Sequence, residues 1–321
     1  MHDAAHIGAV IIGRNEGPRL IRCLASLSGV GRVVYVDSGS TDGSQDAALA
    51  AGAELVALDT SKPFTAARAR NAGLAHLRTQ GPLPERVQFI DGDCALRDGW
   101  LDAAQAFLDA HPDVAVVCGR RRERHPEASL YNAMIDREWD TPIGQARACG
   151  GDALMRFDAL DQVGGYNPDL IAGEEPELCV RLRQAGWRIW RLDAEMTWHD
   201  AAMTRFGQWW TRARRAGFAY AQGAALHGAP PERHNVSQTR RALLWGAVLP
   251  VIACLGMLLI SPWMAQLLLA WPAQMLRLML RGEGWPRAGF LVLGKLPEAL
   301  GALTFYLRRL RGGPARLIEY K

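Results

Sequence analysis

What the sequence lacks sets its first limits. Six cysteines (Cys23, Cys94, Cys118, Cys149, Cys179, Cys254) are scattered without a Cys-x-x-Cys pair or any metal-ligand spacing, which favours reduced thiols and a cytoplasmic setting over a disulfide framework. No secretory signal is visible: the first apolar run, Ile7 to Ile12, is too short and has no basic leader. Acidic residues are scarce towards the end of the chain. Residues 201–321 hold 16 Lys+Arg against 4 Asp+Glu, a net of +12, which leaves 21 against 29, a net of -8, for residues 1–200. The overall charge of +4 hides this asymmetry. A basic back half suits nucleic acid or an anionic membrane surface, and its long apolar runs favour the membrane and no nucleic acid. With 321 residues, 49% of them hydrophobic, the chain has enough apolar material for one large or two ordinary domains, and disorder is not expected.

The front half has a regular beat. Gly8–Gly13 reads as a buried strand ending at Arg14-Asn15-Glu16-Gly17, and a helix follows Pro18 through Leu20, Ile21, Leu24 and Leu27. Val33–Val36 is a second strand, opening onto the polar loop Asp37 to Gly43, with Asp42 or Thr41 placed to cap an Ala-rich helix from Ser44 to Ala51. Glu54–Leu58 reads as a third strand and Thr65–Leu77 as a helix carrying Arg68, Arg70 and Asn71. Strands alternating with helices at this pace predict an α/β fold, a mostly parallel sheet flanked by helices with right-handed crossovers.

Val87, Phe89 and Ile90 form the next strand, and Asp91-Gly92-Asp93 stands at its end. Two carboxylates held this close raise one another's pKa unless a cation lies between them. Hard oxygen ligands of this kind suit Mg²⁺ or Mn²⁺ shared with substrate phosphates. A helix over Trp100–Leu108 and a strand over Val114–Cys118 follow. From Arg120 to Ala148 no period is evident, and this charged, aromatic segment (Arg120-Arg121-Arg122, Tyr131, Trp139) reads as a wall of the site. The acidic run Gly173-Glu174-Glu175-Pro176-Glu177 enters a helix that ends near Gly186, and a strand over Trp187–Leu192 leads to Trp198-His199-Asp200. In a parallel sheet the polar loops at Asn15-Glu16, Asp37 to Asp42, Asp91 to Asp93 and Trp198-His199 converge on one edge.

Beyond residue 201 the composition turns aromatic, basic and then apolar. Leu243–Ile260 carries no charge and follows Arg240-Arg241, and Trp263–Leu280 is a second apolar run closed by Arg277 and Arg281. A membrane hairpin over 243–260 and 263–280 with both ends cytoplasmic is expected, followed by an interfacial helix over 290–310. The expected domains are 1–225, a linker over 226–241 and a helical membrane-associated region over 242–321.

Val10-Ile11-Ile12 to Asn15-Glu16, Val36 to Gly43, Ala69-Arg70-Asn71-Ala72-Gly73, Phe89 to Asp93 and Gly173-Glu174-Glu175 to Cys179 occur in an order and spacing that resemble the family 2 glycosyltransferases, over about residues 7 to 225. That resemblance implies the GT-A fold, an inverting mechanism, a bacterial membrane-associated enzyme and a place at the cytoplasmic face of the inner membrane. It implies that Asn15 and Glu16 line the nucleotide pocket and that Asp37 accepts from the base. Arg70 would reach the nucleotide or its phosphates, Asp91 the ribose and sugar, and Asp93 the metal, with His199 as a further metal contact. Glu175 stands where the family usually has an aspartate as base, and Glu174 or Glu177 is the alternative. Gln208 to Arg212 departs from the Gln-x-x-Arg-Trp motif of processive members, although Arg212 is still a candidate phosphate contact. The expected partners are a nucleotide-sugar donor, a UDP-sugar by the resemblance, and a glycan or lipid-linked acceptor. Sugar-nucleotide pyrophosphorylase chemistry is disfavoured, because Gly13-Arg14-Asn15-Glu16 stands where its Gly-rich phosphate loop would be. A noncatalytic nucleotide-sugar-binding scaffold is the other alternative.

Overall fold

Ile7, Ala9, Val10 and Ile11 are each at most 1% exposed. Burial on both faces is what a central strand of a parallel sheet requires, and these residues form β1 (Ile7–Gly13). A computed structural model describes residues 6–312, so the outer ends of the expected domains, 1–5 and 313–321, lie outside the described residues. β2 (Arg32–Asp37) pairs with β1 in parallel, β3 (Glu54–Ala57) with β2, and β4 (Arg86–Asp91) with the other side of β1. Helices α1 (Pro18–Ala25), α2 (Ser44–Ala50) and α3 (Ala66–Thr79) make the crossovers. α3 approaches the sheet so closely that a Cβ on Gly73 would lie 2.4 Å from Val10 Cγ1. Only glycine fits there.

The chain continues through β5 (Cys94–Leu96), α4 (Trp100–Ala110), β6 (Val114–Glu123), α5 (Leu130–Glu138), β7 (Gly144–Ala146), β8 (Ala153–Arg156), α6 (Phe157–Gln162), α7 (Glu174–Gln184) and β9 (Arg188–His199). Among the described residues one nine-stranded sheet runs in the order β3-β2-β1-β4-β8-β6-β9-β5, with β7 on β9. β8 is antiparallel to both β4 and β6, which makes a mostly parallel mixed sheet flanked by helices.

The segment 120–148, expected to be irregular, is largely ordered. β6 extends to Glu123, and its arginines are matched to acids: Arg120 with Asp136, Arg121 with Asp91 and Arg122 with Glu195. Paired charges replace the apolar alternation that sequence reading relies on. α5 begins where the Ser129 hydroxyl accepts the Asn132 N–H, a normal N-cap. β9 also runs past Leu192, its register shifting against β6 between Cys118 and Arg120 as a bulge allows.

The first compact unit ends at Thr204 and a second begins at Arg205, so the expected boundary at 225 falls near the end of α8 (Phe206–His227), inside the second unit. The second unit contains α8, α9 (Val236–Leu243), a π-helical turn over Leu244–Val248, α10 (Leu249–Leu259), a 3-10 stretch over Pro262–Leu269, α11 (Ala270–Leu280), α12 (Trp285–Leu293) and α13 (Lys295–Arg311). α9 starts within the expected linker 226–241. Gly217 on α8 and Gly301 on α13 let the two helices touch backbone to backbone, since a Cβ on either would lie 1.9 Å from a carbonyl oxygen of the other helix. Among the described residues two helices, Val236–Leu259 and Trp285–Arg311, are long and apolar enough to cross a membrane by length and composition. The expected second arm, 263–280, is not one of them: 3-10 geometry occupies its first half, and α11, with 11 residues, is only about 16 Å long. The segment expected to be interfacial, 290–310, lies within the second of these helices.

Candidate functional site

Gly13 pairs with Asp37 and Ile12 with Asp91, so the loops after β1, β2 and β4 leave the sheet at one edge. Asn15 occupies the left-handed region with φ 56°. Its N–H donates to Ser40 Oγ at 2.9 Å and its Oδ1 accepts the Thr41 N–H at 2.8 Å, which ties the first loop to the second. Glu16 is buried and ion-paired with Arg19 at 2.7 Å. Asp37 is fully buried. Its carboxylate accepts from Tyr35 Oη, the Gly39 and Ser40 N–H groups, Ser40 Oγ and Gln45 Nε2. Burial pushes the Asp37 carboxyl up, but the Ser40 and Gln45 hydrogen bonds outweigh it and hold the group below its ordinary value. Its contacts thus shape the loop. Asp42 accepts both the N–H and the hydroxyl of Ser44, at 3.1 and 2.6 Å, but the N-cap of α2 is Gly43, not the expected Thr41 or Asp42.

At the end of β4 the charges interlock. Arg70 on α3, 2% exposed, donates through NH1 to Glu174 Oε1 at 2.7 Å and through NH2 to Asp91 Oδ1 at 3.0 Å, and it lies over the Tyr166 ring. Arg121 on β6 donates to Asp91 Oδ2 at 3.2 Å and sits 3.4 Å from Asp152 Oδ2. Burial raises the Asp91 carboxyl, and Arg70 and then Arg121 overcome that, leaving it below the ordinary carboxylate range. The buried Asp152 accepts the Asp91 N–H at 3.1 Å and the Thr197 hydroxyl at 2.9 Å. Gly151 makes room at the centre of the cluster, because a Cβ there would lie 2.9 Å from Arg70 NH2, 3.0 Å from Asp91 Oδ2 and 3.2 Å from Glu175 Oε1.

Asp93 and His199 form an adjoining group. Cys94 pairs with His199 across β5 and β9, and His199 Nε2 stands 3.5 Å from Asp93 Oδ1. Asp93, Cys94 and His199 offer ligand atoms within 4.8 Å of one another, as do Asp91, Cys94 and Asp152. In the second set Arg121 already supplies positive charge to both carboxylates. In the first set a buried carboxylate oxygen faces an imidazole nitrogen, a mixed oxygen–nitrogen pair that suits Mn²⁺ better than the harder Mg²⁺, whereas burial holds the Cys94 thiol well above its ordinary pKa. Asp93 and His199 therefore fit a divalent ion better than the other combination.

The three glutamates of the acidic run separate on α7. Glu174 is spent on Arg70, and Glu177 is bound along the helix by Arg181 at 2.8 Å. Glu175 lies 3.6 Å from Arg70 NH1, and burial, followed by the Glu174 charge, pushes its carboxyl up to about 7. A carboxylate poised there can exchange a proton near neutrality.

The structure thus brings Arg70, Asp91, Glu174 and Glu175 around Gly151, and Asp93 beside His199. Arg70, expected to reach the nucleotide or its phosphates, also donates through NH1 and NH2 to Glu174, Asp91 and the Gly151 carbonyl. Arg212 lies on α8, in the second unit. The sequence alone did not reveal the contacts of Arg121, Gly151 and Asp152. The alternation of Arg121 and Glu123 along one strand face was the available signal, and charge pairing masked it.

The model of the family described as glycosyl transferase family 2 matches residues 9–164. The succinoglycan biosynthesis protein ExoA of Rhizobium meliloti is 28% identical over 277 residues, covering 83% of this chain and 78% of that protein. The pre-mycofactocin glycosyltransferase of Mycobacterium tuberculosis is 29% identical over 234 residues, 69% of this chain and 48% of its own length. In fold the chain is similar to the mannosyltransferase PcManGT from Pyrobaculum calidifontis, solved in complex with GDP-Man and Mn²⁺, with a TM-score of 0.64 and 20% identity over 93% of this chain and 87% of that one.

Proposed function

Because this chain belongs to glycosyl transferase family 2, we propose that it is a metal-dependent inverting glycosyltransferase that moves a sugar from a nucleoside-diphosphate donor, a UDP- or GDP-sugar, to a glycan or lipid-linked acceptor at the cytoplasmic face of the membrane. The observation that carries this reading is Glu175, its carboxyl pushed up to about 7 and packed against the Arg70–Asp91 pair at the strand-end edge. Glu175 takes the proton from an acceptor hydroxyl, and the oxygen attacks the anomeric carbon on the face opposite the departing diphosphate. One displacement inverts the anomeric configuration. Asp93 and His199 would hold the divalent ion, which supplies positive charge to the leaving nucleoside diphosphate when bound. Arg70 and Arg121 act on the protein itself, fixing both Asp91 oxygens so that the carboxylate presents one orientation to the donor. The solved relative's GDP-Man and Mn²⁺ support the choice of donor class and ion.

The test is release of UDP or GDP by the full chain from a panel of nucleotide sugars, with and without Mn²⁺ or Mg²⁺. Metal-dependent release from at least one donor is expected, and none from any donor overturns the proposal. Glu175→Gln should bind that donor with near-normal affinity and lose most turnover. Full turnover in this variant would remove Glu175 as the base and leave Glu174 or Glu177.

A further inference from the structure

We infer that Glu123 is a positioning residue that sets the tautomer of His199 and so creates the nitrogen donor of the metal site; this rests on the metal-dependent reading above. Glu123, 1% exposed, closes β6 directly opposite His199 at the end of β9. Its Oε2 lies 3.2 Å from His199 Nδ1 and accepts the Ala201 N–H at 3.1 Å, while Oε1 accepts the His125 N–H at 3.2 Å and Asn132 Nδ2 at 3.4 Å. The Ala201, His125 and Asn132 contacts each require Glu123 to accept. An ionised carboxylate only accepts, so the proton of a neutral His199 ring belongs on Nδ1 and its lone pair on Nε2.

Nε2 is the atom that faces Asp93 Oδ1 at 3.5 Å. Two lone pairs pointing at each other in a buried site repel, and a cation between them turns the same geometry into ligation. The strand does not need Glu123 to hold its course: the Arg124 N–H donates to the His199 carbonyl at 2.7 Å and the Asp200 N–H to the Asp93 carbonyl at 3.0 Å. What the backbone leaves open is the ring's orientation and protonation. Glu123 supplies both, with the Trp139 ring packed at 84° to the imidazole, 4.6 Å between centroids.

The experiment titrates the full-length protein with Mn²⁺ alone and follows the ring nitrogens of ¹⁵N-histidine-labelled protein. Glu123→Gln removes the charge and leaves one acceptor oxygen where two are used. It is expected to weaken Mn²⁺ binding roughly 10-fold or more and to lower the Nδ1–H population of His199, without a matching loss of melting temperature. Unchanged Mn²⁺ affinity in this variant overturns the inference. If the wild type itself takes up no Mn²⁺, the metal reading falls, and the nitrogen spectrum alone decides: Nδ1–H lost in the variant supports the role of Glu123, and an unchanged spectrum overturns it. Should Glu123→Gln not fold, Glu123→Asp carries the same decision, because the shorter side chain withdraws the carboxylate from Nδ1; wild-type affinity there overturns the inference and weakened affinity supports it.

Discussion

Glu175 resists ionisation up to about neutrality, and ionising it costs the fold stability. A carboxyl whose folded pKa is raised binds its proton more tightly in the folded protein than in the unfolded chain. Stability is therefore lost as the pH rises from the ordinary carboxylate range through about 7. Glu175→Gln removes that penalty, so the variant should melt higher than the wild type above pH 7 and equally near pH 4 to 5. A shift of this size corresponds to roughly 3 kcal/mol at most. Turnover has the opposite sign: the base must be unprotonated, so kcat should climb between about pH 6 and 8 with an apparent pKa near 7. A flat pH profile together with an unchanged melting point would show that Glu175 is neither strained nor catalytic. The residue types at this site were readable in the sequence, but the division of labour among Glu174, Glu175 and Glu177 was not. It depends on Arg70, which lies 104 positions from Glu174 in the chain.

At the scale of elements, the site depends on how closely α3 sits on the sheet. Gly73 faces Val10 with no room for a methyl group, and Asn71 on the same helix clamps the turn before the acidic loop, donating to the Tyr166 carbonyl at 2.7 Å and accepting its N–H at 2.8 Å. Gly73→Ala should push α3 outward, costing about 1–3 kcal/mol in stability and shifting Arg70 from Asp91. Thermal melting and turnover should both fall. Loss of stability with full turnover would mean that the Arg70 brace is not needed for the reaction. The first four strands and their helices were legible because each strand is a short, largely apolar segment that gives way to a polar loop, with a glycine in the loops after β1, β2 and β4. β6 beyond Cys118 was not, because its arginines pair with acidic residues elsewhere in the chain, one of them Asp136 on α5.

For the molecule as a whole, the charge asymmetry and the apolar helices support the proposal that the second unit meets lipid. Leu258, Leu259, Ile260, Trp263 and Leu280 are each at least 75% exposed, a surface that a soluble domain rarely leaves to water. The full chain is expected to co-sediment with anionic phosphatidylglycerol vesicles, less so with neutral ones, and Leu258→Glu combined with Trp263→Glu should release most of it, since each charge at membrane depth costs about 2.5–3.5 kcal/mol. Undiminished sedimentation of the double variant would assign that surface to protein contact instead. The sequence by itself determined the α/β beat, the strand-end carboxylates, the acidic helix start and the apolar back half, because these are local patterns of period, turn chemistry and composition. Tertiary structure decided that Arg70 braces Asp91 and Glu174 and that Glu175 is the carboxyl left with a raised pKa. It also placed Glu123 behind His199 and put the division between units at Thr204. Those outcomes are set by distances between residues far apart in the chain, and no local pattern encodes them.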